Sequence, residues 1–182
     1  LVGDIGRHCT SGFNNEGDLV FLVGDSHIPD SSIGSSEYLE LMHSIVRGKP
    51  YIDLGLEKRL HRCCLEAIRR GIVNSAHDCS DGGLGVALAE SCLPNGLGCV
   101  CHDWMMEGRL DSALFGEAQS RIIISVIPKS AWKLERLAAR WQVGARRLGV
   151  VGGSRLVLGA YIDLPLEELG EAWWGGLERL LQ

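Results

Sequence analysis

The sequence predicts an α/β (α+β) chain: a single domain, 1–182, in which a mixed β-sheet is packed by helices. Three observations lead there. Short apolar runs bounded by glycine and polar turns alternate with segments whose apolar residues recur at three- and four-residue steps. The 182 residues suffice for one domain that buries roughly 70% of its unfolded surface, and leave little room for two. No composition shift, low-complexity tract or internal repeat divides them, and residues 1–17 are expected to be a linker leading into the domain.

Each element has its own warrant. Residues 18–23 lie between the Asn-Asn-Glu-Gly turn and Gly24-Asp25, which makes them a strand. A Ser/Gly-rich loop over 26–36 leads to a helix over 37–46, broken by Gly48-Lys49-Pro50. Asp53 is the expected N-cap of the next helix. Its apolar face is Leu56, Leu60, Cys63 or Cys64, Ala67 and Ile68; its charged residues, Arg69 and Arg70 among them, form a solvated face. Ile72, Val73 and Ala76 read as a short strand, and Leu84 to Ala89 as the start of a buried helix. Residues 97–101 and 121–126 are strands, and Pro128 opens a helix that ends near Trp141. Residues 143–151 and 155–158 are two strands joined through Gly152-Gly153-Ser154 as an expected hairpin. The last helix, 166–181, carries Leu166, Leu169, Trp173, Leu177 and Leu181 on one face, with Trp173 expected to anchor it to the sheet.

Charge and cysteine usage narrow the function classes. With 18 basic and 23 acidic residues the net charge is -5, and no long basic stripe offsets it, which argues against a nucleic-acid partner. No apolar run approaches the roughly 20 residues of a membrane span. The seven cysteines are an odd number without metal-ligand or disulfide-scaffold spacing. They read as small, reduced, buried residues in a cytoplasmic protein, with no metal site among them. Leu1 in place of an initiating Met raises the expectation that the chain is excised from a longer one.

Two polar turns carry the candidate chemistry. The first, His77 to Gly83, joins a strand end to a helix start. His77, Asp78, Ser80 and Asp81 supply polar groups, Gly82 and Gly83 permit close approach of a ligand or another chain segment, and the first helical N–H groups point into the turn. Asp78 and Asp81 would repel a bare phosphate, so the turn suits a magnesium-bridged phosphate or a ligand with N–H groups. The bland alternative is that Ser80 or Asp81 N-caps the helix while His77 packs at the strand end. The second turn, Phe115 to Arg121, offers Glu117, Gln119, Ser120 and Arg121 at a strand start. Its bland alternative is a surface ion pair between Glu117 and Arg121, worth about 0–1 kcal/mol. Neither turn designates a catalytic residue.

SAHDCSDGGLGVALAE resembles a loop near the C-terminus of phosphoribosylformylglycinamidine synthase, the glutamine-dependent ligase of purine biosynthesis. Four further blocks follow that family's order: NEGDLVFLVG; IGSSEYLELMHSIVRGKPYIDLGLEKRL; LFGEAQSRIIISV; and the pair VGGSRLVL and EAWWGGLERLL. Two residues depart from its pattern: Cys79 stands where Val is usual, and Ser35 replaces the second Gly of LGGSEYL. A positive φ there would cost a serine on the order of 1 kcal/mol. The resemblance implies a fold like the C-terminal domain of aminoimidazole ribonucleotide synthetase. It also implies a cleft lined by His77, Asp78, Ser80, Asp81, Gly82, Gly83, Glu117, Ser120 and Arg121. ATP and Mg2+ would serve the intact enzyme, with neither held by this domain alone. Its partners would be N-terminal-type domains of the same polypeptide, a glutaminase domain or subunit, and a small-molecule substrate. Selenophosphate synthetase or hydrogenase-maturation proteins of the same superfamily, or a non-catalytic interaction module, are the alternatives.

Overall fold

The computed structural model describes residues 4–25, 29–102 and 108–180; the expected core positions Leu177 and Leu181 lie outside the described side chains. At the centre is β1 (Leu19–Gly24), whose Val20 and Leu22 face one side while Phe21 and Val23 face the other. Both faces are apolar because both are covered. β4 (Arg121–Val126) and β5 (Gly144–Val151) pair antiparallel with β1 on its two edges. The whole sheet has the order β2-β4-β1-β5-β3-β6-β7, with β2 at Ser75–Asp78, β3 at Cys99–Cys101, β6 at Arg155–Leu158 and β7 at Ile162–Pro165. Among the described strands only β3 and β6 pair in parallel; the other pairs are antiparallel.

Helices cover each face. On one side α3 (Gly83–Cys92), α4 (Leu110–Phe115) and α6 (Leu166–Leu180) contribute Leu84, Leu88, Leu114, Leu166 and Leu169 to a core with Leu22 and Ile123. On the other, α2 (Leu54–Arg69) and α5 (Ala131–Trp141) place Leu60, Cys63, Ala67, Leu134 and Leu137 against Phe21 and Ile124. Asp53 caps α2 as expected, accepting from the N–H groups of Gly55 and Leu56. Phe13, within the expected linker, is fully buried in the first core, and Thr10 bridges Ser75. No described helix is long and apolar enough to cross a membrane.

Several expectations change. α1 (Glu37–His43) stops three residues short of 46, where Ser44 turns left-handed at φ 54. The strand expected from Ile72 begins at Ser75, because Ile72 instead donates to Ala67 O and closes the end of α2. Pro128 opens a 3-10 turn before α5 begins at Ala131. The 152–154 turn is not a hairpin: β3 is inserted between β5 and β6. Gly98 accepts from Gly152 N at 2.7 Å and donates to Gly153 O at 2.8 Å, so the turn clasps the start of β3. A Cβ on Gly98 would lie 2.3 Å from Arg155 O. Trp173 is half exposed and Trp174 more so; Leu166 and Leu169 anchor α6 in their place. The short elements α4 and β7 were not anticipated, since neither carries a long periodic pattern.

Candidate functional site

β2 lies at the sheet edge and passes the chain through Cys79–Gly82 into α3. Cys79 is buried and its N–H donates to Arg121 O at 3.0 Å, which fixes the turn to the start of β4. The side chains of Asp78, Ser80 and Asp81 are left exposed. Neither Ser80 nor Asp81 caps α3: its N-cap is Gly82, at φ 75, and no side chain of the cap residue serves it. Two donors at this helix start are nevertheless engaged. Gly82 N donates to Glu117 Oε1 at 2.9 Å and Gly83 N to Ser80 O at 3.0 Å.

Glu117 is the organising residue of this region. The same Oε1 also accepts from Glu37 N, at 2.9 Å, while Glu117 N donates to Ser32 O at 3.0 Å. One carboxylate therefore ties the α3 start to the α1 start, and its backbone ties both to the loop before α1. Hydrogen bonds from N–H groups to an ionised carboxylate are about twice as strong as neutral ones. The close approach permitted by Gly83 is to the protein's own backbone. Gly83 has φ +66, and a Cβ there would stand 2.7 Å from Gly116 O and 2.9 Å from Leu114 O.

Arg121 lies beneath the turn, not on it. Only 2% exposed, it donates from Nε to Ala118 O at 3.0 Å and from Nη2 to Gly116 O at 2.5 Å, bracing the Gly116–Ser120 turn from inside. Burial lowers the pKa of its guanidinium from the usual range, and Nη1 is buried without a hydrogen-bond partner. The surface ion pair between Glu117 and Arg121 is thus replaced by two sets of backbone bonds. Ser120 is buried in the left-handed region at φ 63, and its Oγ donates to the Glu57 carboxylate. Its carbonyl accepts from Asp25 N at 2.9 Å, an approach that Gly24 makes possible: a Cβ on Gly24 would be 2.0 Å from Ser120 O.

A cavity of about 230 Å³ opens beside Glu117 and Ser120, walled by Asp25, Ser31, Gly34 and Lys49. Glu117, Ser120, Gly82 and Gly83 are therefore brought together, with Asp78, Ser80 and Asp81 on the adjoining surface. His77 is not with them. Its Nε2 is 3.0 Å from Glu90 Oε2 and its Nδ1 3.6 Å from Asp78 Oδ1, in a separate recess of about 240 Å³ with Ser11, Trp173 and Trp174. Sequence reasoning missed Asp25, Lys49 and Glu90. Asp25 directly follows a strand end, a position where ligands gather in sheets, whereas Lys49 and Glu90 carry no local signal.

The cysteines take no part in this chemistry. Cys79 is held by burial in its protonated form, its thiol pushed up to about 12; Cys64 and Cys92 are likewise pushed up to about 12 and Cys63 to about 11. Cys99 and Cys101 share the inner face of β3 with their sulfurs 3.6 Å apart.

Comparison with known proteins agrees with this architecture. The chain is 43% identical over 180 residues to the phosphoribosylformylglycinamidine synthase subunit PurL of Thermomicrobium roseum, covering 97% of this chain and 24% of that protein. The identity is 48% over 158 residues for the same subunit of a Synechococcus strain, 84% of this chain and 20% of the relative. The chain thus spans about a quarter of the length of the curated relatives it matches. Among solved structures, Thermotoga maritima PurL complexed with FGAR superposes with TM-score 0.76 at 20% identity, covering 91% of this chain and 30% of that one. The hydrogenase maturation protein HypE of E. coli shares the fold more distantly, with TM-score 0.58 at 16% identity over 87% of this chain and 52% of its own. Residues 15–159, most of the chain, match the family described as AIR synthase related protein, C-terminal domain, and the chain belongs to that family.

Proposed function

We propose that this chain is the C-terminal domain of a phosphoribosylformylglycinamidine synthase, the ligase that converts formylglycinamide ribonucleotide, ATP and glutamine-derived ammonia to formylglycinamidine ribonucleotide. The observation that carries the reading is the 43% identity to PurL across 97% of the chain. In this reading the His77–Gly83 and Glu117–Arg121 turns form one wall of the substrate cleft. Asp78, Ser80 and Asp81 face ligand or the opposing domain, and Glu117, Ser120 and Arg121 hold the wall in shape. N-terminal-type domains of the same polypeptide supply the other wall, a glutaminase domain or subunit supplies ammonia, and the isolated chain does not turn over.

The exposed apolar residues support such a face. Leu41, Met42, Val46, Tyr51 and Leu54, on α1, the segment after it and the first residue of α2, are all more exposed than buried, and Tyr51 and nearby Ile52 border the Glu117 cavity. The turn itself does not fit a nucleoside triphosphate. Two of the N–H groups that could cradle phosphate, on Gly82 and Gly83, already donate within the protein, and two exposed carboxylates stand beside them. ATP and Mg2+ belong, in this reading, to the rest of the longer chain.

The test is a chimera. Thermomicrobium roseum PurL with its corresponding segment replaced by this chain is expected to restore growth of a purine auxotroph lacking that subunit and to form the amidine in vitro. A folded chimera that binds its partners yet forms no product, beside an active parent, would sink the reading. Asp81→Ala in the chimera should lower turnover with its melting temperature unchanged, since Asp81 caps nothing.

A further inference from the structure

The opposite face of the molecule carries an unassigned basic groove. It has a volume of about 620 Å³ and runs between the end of α2 and the outer face of α5, lined by Arg70, Trp132, Lys133, Arg136 and Arg140 over a floor that includes Leu137. Trp132, Arg136 and Arg140 are four residues apart, so they form one ridge of the helix. Opposite them, α2 ends in the left-handed Gly71, where Gly71 N donates to Ile68 O and Ile72 N to Ala67 O; this turn places Arg70 beside that ridge. Four cations thus converge on one concavity of a chain whose net charge is -5.

Their compensation is incomplete. None of the residues lining the groove is acidic. The neighbouring carboxylate is Glu66, which pairs with Arg70, with Arg140 Nη1 at 3.2 Å, and with Trp141 Nε1 at 2.7 Å. Lys133 lies 5.9 Å from the Trp132 ring centroid. Lys133 stands in the first turn of α5, where the helix macrodipole disfavours a cation, and that turn holds no acidic residue. Trp132 at the rim is 56% exposed, a large apolar ring left in water next to these charges. A solvated face would gain nothing from an exposed indole or from concavity. Both features suit a ligand with a flat ring and several negative charges, and the volume lies in the range of small-molecule sites.

We propose that this groove is a second binding site, taking a polyphosphate anion that carries an aromatic ring, of the nucleoside-polyphosphate class. Trp132 stacks on the ring, while Lys133, Arg136 and the outer edges of Arg70 and Arg140 take the phosphates. The site lies on the sheet face covered by α2 and α5, and it stands independently of the proposed cleft. It would be a regulatory or retention site, because no nucleophile or general base lines it.

The test uses the 182-residue chain with ATP and inorganic tripolyphosphate as probes, in EDTA and low salt, read by calorimetry and by amide shifts. Saturable binding of ATP in the submillimolar range is expected, with shifts at Trp132, Arg136 and Gly71, weakening as salt screens the charges. The double variant Lys133→Gln/Arg136→Gln should weaken both probes at least about 10-fold at unchanged melting temperature, the loss that removing one good charge-assisted contact causes. Trp132→Ala should weaken ATP but not tripolyphosphate. Absence of saturable binding, or binding unaffected by the double variant, overturns the site. Equal loss of both probes in Trp132→Ala overturns the ring contact. Hexaglutamate binding as tightly as tripolyphosphate would replace the proposal with an acidic protein partner.

Discussion

Replacing Gly83 by Ala separates two reasons for a glycine at the start of α3. The backbone there is left-handed, φ +66, which costs a residue with a Cβ about 1–2 kcal/mol. A methyl group would in addition stand 2.7 Å from Gly116 O and 2.9 Å from Leu114 O and Phe115 C, all backbone atoms that no rotamer change can move. Overpacking of this kind costs about 1–3 kcal/mol. The unfolded chain, being stiffer with Ala, returns about 0.4–1 kcal/mol. The net loss is about 1–5 kcal/mol, or about 2–20 °C in melting temperature for a domain of this size. Gly96→Ala is the matched control: φ is +63, and nothing lies within 4 Å of its Cβ position. It should cost about 0–1.6 kcal/mol, the conformational part alone. The assay is equilibrium urea unfolding of both variants with melting curves alongside. Losses equal within about 0.5 kcal/mol would refute the backbone contact with the Gly116 turn, and with it the argument that Gly83 serves packing and not ligand approach.

Three further outcomes follow from the same geometry. Ser35 occupies the third position of the Ile33–Ser36 turn at φ 60, after Gly34 at φ -65 and ψ 133, which is a type II turn that favours glycine there; Ser35→Gly should stabilise the chain by about 0.5–1 kcal/mol in urea unfolding. Glu117→Ala should cost about 2–3 kcal/mol by leaving Gly82 N and Glu37 N without their acceptor, while Glu117→Gln, which keeps an oxygen, should cost about 1 kcal/mol; hydrogen exchange at those two amides reports the loss directly. The thiol shifts make stability fall with alkalinity. Cys64, Cys79 and Cys92 bind their protons up to about 12 in the folded chain and only to the ordinary 9.0 when unfolded, so their contribution is fully present below pH 9.0 and is lost as pH rises toward 12. Urea midpoints should therefore drop across that window and recover part of the drop in Cys79→Val.

Local chemistry determined much of this protein from the sequence alone. The apolar runs of β1 and β4, the Asp53 cap and the apolar face of α2 are properties of residues near one another in the chain, and they emerge in the structure at the expected places. The two polar turns and the strained Ser35 were legible for the same reason, since glycine spacing and a departure from a family motif are local signals. Tertiary structure alone decided which partners these segments meet. The insertion of β3 between β5 and β6, the use of Gly83 against the Gly116 turn, the two hydrogen bonds accepted by Glu117 Oε1 and the burial of Arg121 all join residues far apart in sequence. His77 shows the division most plainly. Gly82, five residues on, meets Glu117, but the alternation of β2 sends the His77 imidazole toward Glu90 and the tryptophans of α6. Strand alternation assigns a side chain to a face, and only the packing of distant helices determines what waits on that face.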